Sequence, residues 1–304
     1  MKAVRIHERA GAEALVVEEA PYPTAAENDV IVRVHAASFT PGELDWPGTW
    51  QDRAGRDRTP VVPGHEVSGE VAELGYGTTG LTVGQRVFGL TDWTRDGTLA
   101  EYVAVEARNL APLPATIDHV TAAALPMAGL TARQALFDHG GLRAGQTALV
   151  HGAGGAVGRM AVQLARAAGA RVVGTGRERD RAIALEAGAE RFVPLDGRFE
   201  EETGRADVVL DVIGGEILDR SAALVRAGGT LVTIAAPPKV RPADGRAVFF
   251  VVESNREQLA ELAGWVREGR LMPRVGAVRE LGEVREAFLG KGRVSGKVVV
   301  RVVG

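Results

Sequence analysis

The chain has 304 residues, 45% of them hydrophobic, and a formal net charge of −3: enough for one large or two ordinary domains with an ample core, and no general pull toward nucleic acid or anionic membrane. It contains no cysteine, which excludes disulfides, cysteine-based zinc sites and a thiol nucleophile. No stretch approaches the ~20 apolar residues of a membrane span, and the N-terminus, MKAVRIHERAG, lacks the apolar core of a signal peptide, so the expectation is a soluble cytoplasmic protein.

In chain order, residues 2–6 and 13–19 read as paired strands around a turn at Gly11, closed by Pro21 and Pro23. Asp29 to Ala37, DVIVRVHAA, alternates Val30, Val32 and Val34 against Ile31, Arg33 and His35, which predicts a strand with one face in a core and His35 on the polar face. The segment SFTPGELDWPGTWQDRAGRDRTP follows as a long irregular loop, of the kind that tends to be functional or mobile. Val61 to Leu74, Val83 to Leu90 and Gly97 to Val105 resume strand character and complete an antiparallel, barrel-like set. From Asp118 the pattern turns helical through AAALPMAGLTARQALFDHGGL.

Residues 147–176, TALVHGAGGAVGRMAVQLARAAGARVVGTG, carry the strongest signal. Thr147 to Val150 suits a strand buried on both faces, and glycines at 152, 154, 155 and 158 strip side chains where the chain turns into a helix. That helix carries Val157, Ala161, Leu164, Ala165 and Ala168 at helical spacing, ends at Gly169, and leads into the strand from Arg171. This strand, glycine turn, helix and strand is the context in which a pyrophosphate sits on free helix N-terminal amides, with Gly152, Gly155, Ala156, Val157 and Gly158 at the contact. A tight turn that binds nothing would need glycine at fewer of these places.

About 20 residues beyond the glycines, where an acid would hold the ribose 2′-hydroxyl of NAD, the chain reads Gly174, Thr175, Gly176, Arg177, Glu178, Arg179. Arg177 and Arg179 suit a 2′-phosphate, because guanidinium presents forked donors to phosphate oxygens, and NADPH is the expected cofactor. A solvated charged turn, with Glu178 and Asp180 as counter-charges, is the plainer reading. Further strands are expected near Arg191 to Leu195, Asp207 to Ile213 and Thr230 to Ala235, separated by helices around Asp180 to Ala187 and Ile217 to Val225. Such alternation implies a parallel sheet, with Ile213 and Gly214, then Ile234, Ala235 and Ala236, at the strand ends that meet the dinucleotide. The run VFFVV, Val248 to Val252, is expected as an edge strand whose exposed apolar edge pairs with a second copy in a homodimer. A helix over Asn255 to Glu268, a strand near Arg274 to Val278, a helix near Glu283 to Leu289 and a closing strand from Gly296 to Val303 are too few for a separate domain and should complete the first one.

Taken in order, VRVHAASFTP, PGHEVSGEVAELG, VGQRVFGL, GTLAEYVAV, AALPMAGLTARQAL, HGAGGAVG, DVVLDVIGG, GGTLVTIAAP and SGKVVVRV resemble the medium-chain dehydrogenase/reductase superfamily, in particular its zinc-free quinone oxidoreductase branch. The resemblance covers essentially the whole chain. It implies an α/β fold, with a GroES-like β-barrel catalytic domain from residues 1–117 and 254–304, a doubly wound Rossmann domain from 118–253, and NADPH lying in the cleft. Where zinc-bearing relatives place a cysteine, the histidine of GHE and a second cysteine, this chain has Thr40, His65 and Met127. Hydroxyl and thioether are poor zinc ligands beside thiolate, so no metal is expected.

Without a Lewis acid an alcohol is hard to oxidise, whereas a quinone or α,β-unsaturated carbonyl accepts hydride with little more than positioning. Thr40, His65 and Thr131 are the candidate catalytic polar groups, each with an ordinary packing explanation beside the functional one. Phe39, Trp46, Trp50, Trp93 and Phe249 are the candidate walls of a flat apolar substrate pocket, although the tryptophans equally suit anchors of their loop. The expected activity is NADPH-dependent reduction of such a small molecule. A zinc-independent alcohol dehydrogenase and a non-catalytic NADPH-binding sensor or structural protein are the alternatives.

Overall fold

The computed structural model describes residues 1–40, 42–290 and 295–303, so Pro41 of the SFTP landmark lies outside the described residues. The chain divides into two compact units, Met1–Pro126 with Ser254–Arg267 and Pro273–Gly304, and Met127–Glu253 with Glu268–Met272.

The first unit is built on one curled sheet in the strand order Val275–Glu280, Lys297–Arg301, Asp29–Ser38, Glu66–Leu74, Arg86–Leu90, Leu110–Pro112. The Asp29–Ser38 strand holds it together. Along one edge it pairs with Glu66–Leu74; along the other it pairs first with Tyr102–Glu106, at Asp29 to Arg33, and then with Lys297–Arg301, at Ala36 to Ser38. Register shifts at Ile31/Val32 and Val34/Ala36 mark bulges, which bend a strand and let it change partners. Val30, Val32, Val34, Val67, Val71, Val87, Val103 and Val105 fill the concave core. Lys2–Arg5 and Val16–Glu19 form the expected antiparallel hairpin. The helix His119–Ala123, capped by the Asp118 carboxylate accepting from Thr121 N at 2.9 Å, also packs on this unit, against the Asp29–Ser38 and Glu66–Leu74 strands.

His35 departs from the solvent-facing position its alternation suggests. It falls at the second bulge and is turned under that helix, where its ring stacks on His119 at 4.4 Å between centroids and 11° between planes. His35, Glu70 and His119 are the one group of ligating atoms among the described residues close enough to share an ion, all within 4.8 Å. Parallel stacked rings direct their lone pairs along separate planes, and Arg86 Nε already donates to His119 Nε2 at 3.4 Å. The arrangement is a stacked pair of neutral imidazoles rather than an ion cage: burial lowers both, His119 to about 4.

The second unit is a six-stranded, all-parallel sheet in the order Arg191–Pro194, Arg171–Gly176, Thr147–His151, Ala206–Asp211, Val225–Thr233, Gly245–Phe249. Chain order reverses between Thr147–His151 and Ala206–Asp211, the switch point at which open parallel sheets bind nucleotides. The edge strand is Gly245–Phe249 rather than Val248–Val252, because Phe250 and Val252 turn away to be buried beyond the last sheet pairing, Thr233 with Phe249. The helical region includes Pro126–Arg133 and a π-helical turn over Gln134–His139, whose Gln134 exchanges bonds with the backbone of Glu253 (2.8 and 3.1 Å).

Candidate active site

In the second unit the ends of three strands meet at the glycine turn, and the turn after a fourth packs beside one of them. Gly152 sits at φ 77°, and its missing side chain makes room for Val212 and Ile213 of the turn after Ala206–Asp211. Gly214, at φ 80°, is packed against Ala235 of the turn after Val225–Thr233. Gly152 N and Ala153 N both donate to Thr175 O at 2.9 Å, which ties the turn to the Arg171–Gly176 strand. Gly158 faces the Gly152 carbonyl so closely that any Cβ would collide with backbone. The twelve-residue helix Ala156–Ala167 starts at Gly155 with no side-chain cap, which leaves the first-turn amides of Ala156, Val157 and Gly158 for an anion. These residues fit a dinucleotide pyrophosphate.

Three glycine and threonine roles differ from expectation. Gly154 is required by Asp180, whose Cβ occupies the space a side chain would need. Gly174 lies beneath the turn, packed against Ala153. Thr175 is fully buried, and its hydroxyl is engaged with His151 Nδ1 at 2.7 Å. The His151 Nε2 contact to Ser221 Oγ is 3.0 Å, and Ser221 donates to Ile217 O at 2.5 Å. Ser221 therefore accepts from Nε2–H and Thr175 donates to Nδ1, a neutral tautomer fixed by its neighbours, and burial holds this imidazole down to about 3. Asp211, also fully buried, accepts from Ile213 N (3.2 Å), Gly214 N (3.1 Å) and Thr233 Oγ1 (2.9 Å), and so shapes the turns that follow Ala206–Asp211 and Val225–Thr233. Neither His151 nor Asp211 was singled out by sequence.

At the end of Arg171–Gly176 the acids are engaged and the arginines are not. Glu178 accepts a bidentate pair from Arg181 (2.6 and 2.8 Å), and Asp180 accepts from Arg177 N at 3.3 Å. The exposed Arg177 and Arg179 guanidinium groups have no counter-ion among the described residues.

In the first unit, Thr40 and His65 come together around one buried carboxylate. Glu43 is 1% exposed; its Oε2 accepts from Thr40 N at 2.8 Å and its Oε1 from Gly64 N at 2.6 Å. Burial pushes its carboxyl up to about 7, against the pull of those amides and of Lys297. Gly64 takes φ 86° with its missing side chain facing Thr98 and Leu99, the conformation that lets this turn present His65. Glu66, next along, pairs with Lys297, which also donates to Phe39 O at 3.1 Å. His65 is 2% exposed and held down to about 3, first by burial and then by Arg58. Its Nδ1 lies 3.5 Å from Thr91 Oγ1, while His65 Nε2 and Thr40 Oγ1 are buried polar atoms without a hydrogen-bond partner among the described residues. Buried polar atoms left unpaired in this way are what a ligand's own polar atoms satisfy.

Aromatic rings flank His65. Trp46 lies roughly parallel to it at 6.4 Å, Trp93 stands edge-on at 6.4 Å, and the two indoles meet at 6.1 Å. The other residues expected as pocket walls have these surroundings. Phe39 is core, stacked on Phe288 at 3.8 Å, and Trp50 is buried with Nε1 donating to Leu44 O at 2.8 Å, an anchor of the loop. Phe249 belongs to the edge strand of the second unit. Thr131 is also in that unit, on the helix Pro126–Arg133, and its hydroxyl is engaged by the Met127 carbonyl at 2.6 Å, so it is no free proton donor. Thr40 and Met127 offer a hydroxyl and a thioether in place of the anionic donors that zinc prefers, so these side chains do not fit the metal.

The zinc-binding dehydrogenase family matches residues 156–258, and the alcohol dehydrogenase GroES-like domain matches residues 26–115. The quinone oxidoreductase of Rattus norvegicus is 28% identical over 319 residues, spanning 98% of this chain and 96% of the relative. The 2-methylene-furan-3-one reductase of Solanum lycopersicum is 30% identical over 303 residues, spanning 92% and 74%. The solved structure of the quinone oxidoreductase from Coxiella burnetii superposes with a TM-score of 0.89 at 28% identity, covering 100% of this chain and 99% of that one. A GroES-like unit and a Rossmann unit with an open glycine turn define an oxidoreductase of the nicotinamide-dependent class. The chain belongs to the medium-chain dehydrogenase/reductase superfamily, in its quinone oxidoreductase branch.

Proposed function

We propose that the protein uses NADPH to reduce a quinone or α,β-unsaturated carbonyl compound, without zinc. The observation that carries this reading is two buried polar atoms without a hydrogen-bond partner among the described residues, Thr40 Oγ1 and His65 Nε2, on segments tied to one carboxylate, with Trp46 and Trp93 flanking His65. A flat carbonyl compound suits such a seat: indole faces take its plane, and the Thr40 hydroxyl is a donor for its oxygen. His65, neutral above a pKa of about 3, is no proton source at physiological pH; it orients the ligand and keeps the seat uncharged. Bound NADPH supplies a hydride from its nicotinamide ring, and solvent or the Thr40 hydroxyl supplies the proton. The similarity to a quinone oxidoreductase and a furanone reductase supports this substrate class. The edge strand Gly245–Phe249, followed by the exposed Val251, is the surface we assign to a homodimer.

The two arginines without counter-ions favour NADPH over NADH. NADPH is expected to bind at least tenfold more tightly, a difference of about 1.4 kcal/mol, and Arg177→Ala should remove most of it. Titration of both cofactors checks this; equal affinities, or a preference for NADH that Arg177→Ala leaves unchanged, would reduce these arginines to a solvated turn. For the reaction itself, chelator-treated protein should consume NADPH when given a naphthoquinone or a small enone. Tight NADPH binding with no turnover on either class would favour the non-catalytic reading.

A further inference from the structure

Thr40 and Glu43 stand three residues apart, the spacing of a capping box, in which the threonine hydroxyl and the glutamate carboxylate each bond the other's backbone amide. Only half of that box is made. Glu43 Oε2 accepts from Thr40 N at 2.8 Å, but Glu43 N donates to the Thr40 carbonyl at 3.0 Å, so the Thr40 hydroxyl is not needed at the turn and has no partner among the described residues. The other oxygen, Oε1, reaches out of the turn to Gly64 N at 2.6 Å, directly before His65. A fully buried carboxylate is expensive to desolvate, and an apolar residue would fill the volume at lower cost. What a carboxylate adds is two acceptors in one rigid plane.

We infer that Glu43 is the positioning residue of the carbonyl seat: a single carboxylate sets the spacing of Thr40 and His65 through their flanking backbone amides and leaves the Thr40 hydroxyl free for substrate. The inference rests on the proposed reductase reading. Lys297 and Glu66 support it from beneath, since the lysine bridges Glu66 and the Phe39 carbonyl, the residues that follow His65 and precede Thr40. The seat is thus braced by two polar ties, the Glu43 carboxylate that joins the Thr40 and Gly64 amides and the Lys297 ammonium that joins Glu66 and the Phe39 carbonyl.

The test is a double-mutant cycle on turnover combined with amide hydrogen exchange. Glu43→Gln keeps the volume but places an amide NH₂ against one of the two N–H donors. It should lower kcat for a quinone by roughly 10- to 100-fold with the KM for NADPH unchanged, and cost less than about threefold when added to Thr40→Val, because the residue acts through Thr40. Exchange at the amides of Thr40 and Gly64 should speed by about tenfold or more in Glu43→Gln. Glu43→Asp, which keeps the charge, should retain more activity than Glu43→Gln and stands in should the latter fail to fold. Full additivity with Thr40→Val, or unchanged exchange at both amides, overturns the inference. If the wild-type protein turns over no quinone or enone, the functional reading fails, and the exchange measurement alone decides the role of Glu43.

Discussion

Replacing Gly158 by valine should weaken NADPH binding by about a hundredfold or more, a loss of about 2.7 kcal/mol. A Cβ at this position meets the carbonyl and carbonyl carbon of Gly152 and the Cα of Ala153, all of them backbone, so the turn must open and the first-turn amides of Ala156–Ala167 lose their common aim. Gly155→Ala separates geometry from folding: a Cβ there meets only the Gly152 carbonyl, at 3.3 Å, so the chain should fold normally while a methyl group intrudes where the pyrophosphate approaches. Fluorescence titration of NADPH, with melting curves as the folding control, checks both. Affinity within threefold of wild type in folded Gly158→Val would place the pyrophosphate elsewhere.

The second large effect is acid lability. His65 and His151 are held near 3 in the folded protein, against 6.5 when free, so the unfolded chain binds more protons as the pH falls. Their contribution is present above pH 6.5 and is lost progressively as the pH drops through the folded values. Glu43 works in the opposite direction: raised from 4.5 to about 7, it binds its proton more readily when folded, so its contribution is present below 4.5 and lost as the pH rises through 7. Between pH 6.5 and 4 these two histidines together cost about 6 kcal/mol and Glu43 offsets about 2–3 of it, while His119 and His35, lowered by burial as well, add to the loss, so the net loss is about 3 kcal/mol or more. Urea midpoints at the two pH values measure this. Equal midpoints would mean that the two imidazoles are not buried and neutral as described.

The sheet of the second unit was legible because its physics is local. Continuous apolar runs bounded by glycine mark strands buried on both faces, and the glycine turn at 152–158 can be read letter by letter. The slip at the edge strand has a local cause too: VFFVV is uniformly apolar, but Phe250 and Val252 are buried by packing outside the sheet, which periodicity does not distinguish from pairing.

The substrate seat was only half legible. Thr40, His65, Trp46 and Trp93 could be named, but assigning Phe39 to the core required knowing that it stacks on Phe288, and Trp50 that its indole reaches Leu44. Glu43 is legible only as the last letter of Thr-x-x-Glu; its second bond, to Gly64 across 21 residues, carries no sequence signature. Asp211 and His151 are of the same kind: ordinary letters in a strand whose burial and partners exist only once the sheet has formed.

The central claim is hydride transfer from NADPH to an electron-poor carbonyl compound. The most direct measurement is label transfer: chelator-treated protein given an enone and NADPH deuterated at the nicotinamide C4, each C4 epimer in turn, with the product analysed by NMR. The account predicts one deuterium on the former β-carbon from one of the two epimers, and no NADPH formed from NADP⁺ and ethanol. Reduced product without label from either epimer, or no reduced product beside brisk ethanol oxidation, would contradict it.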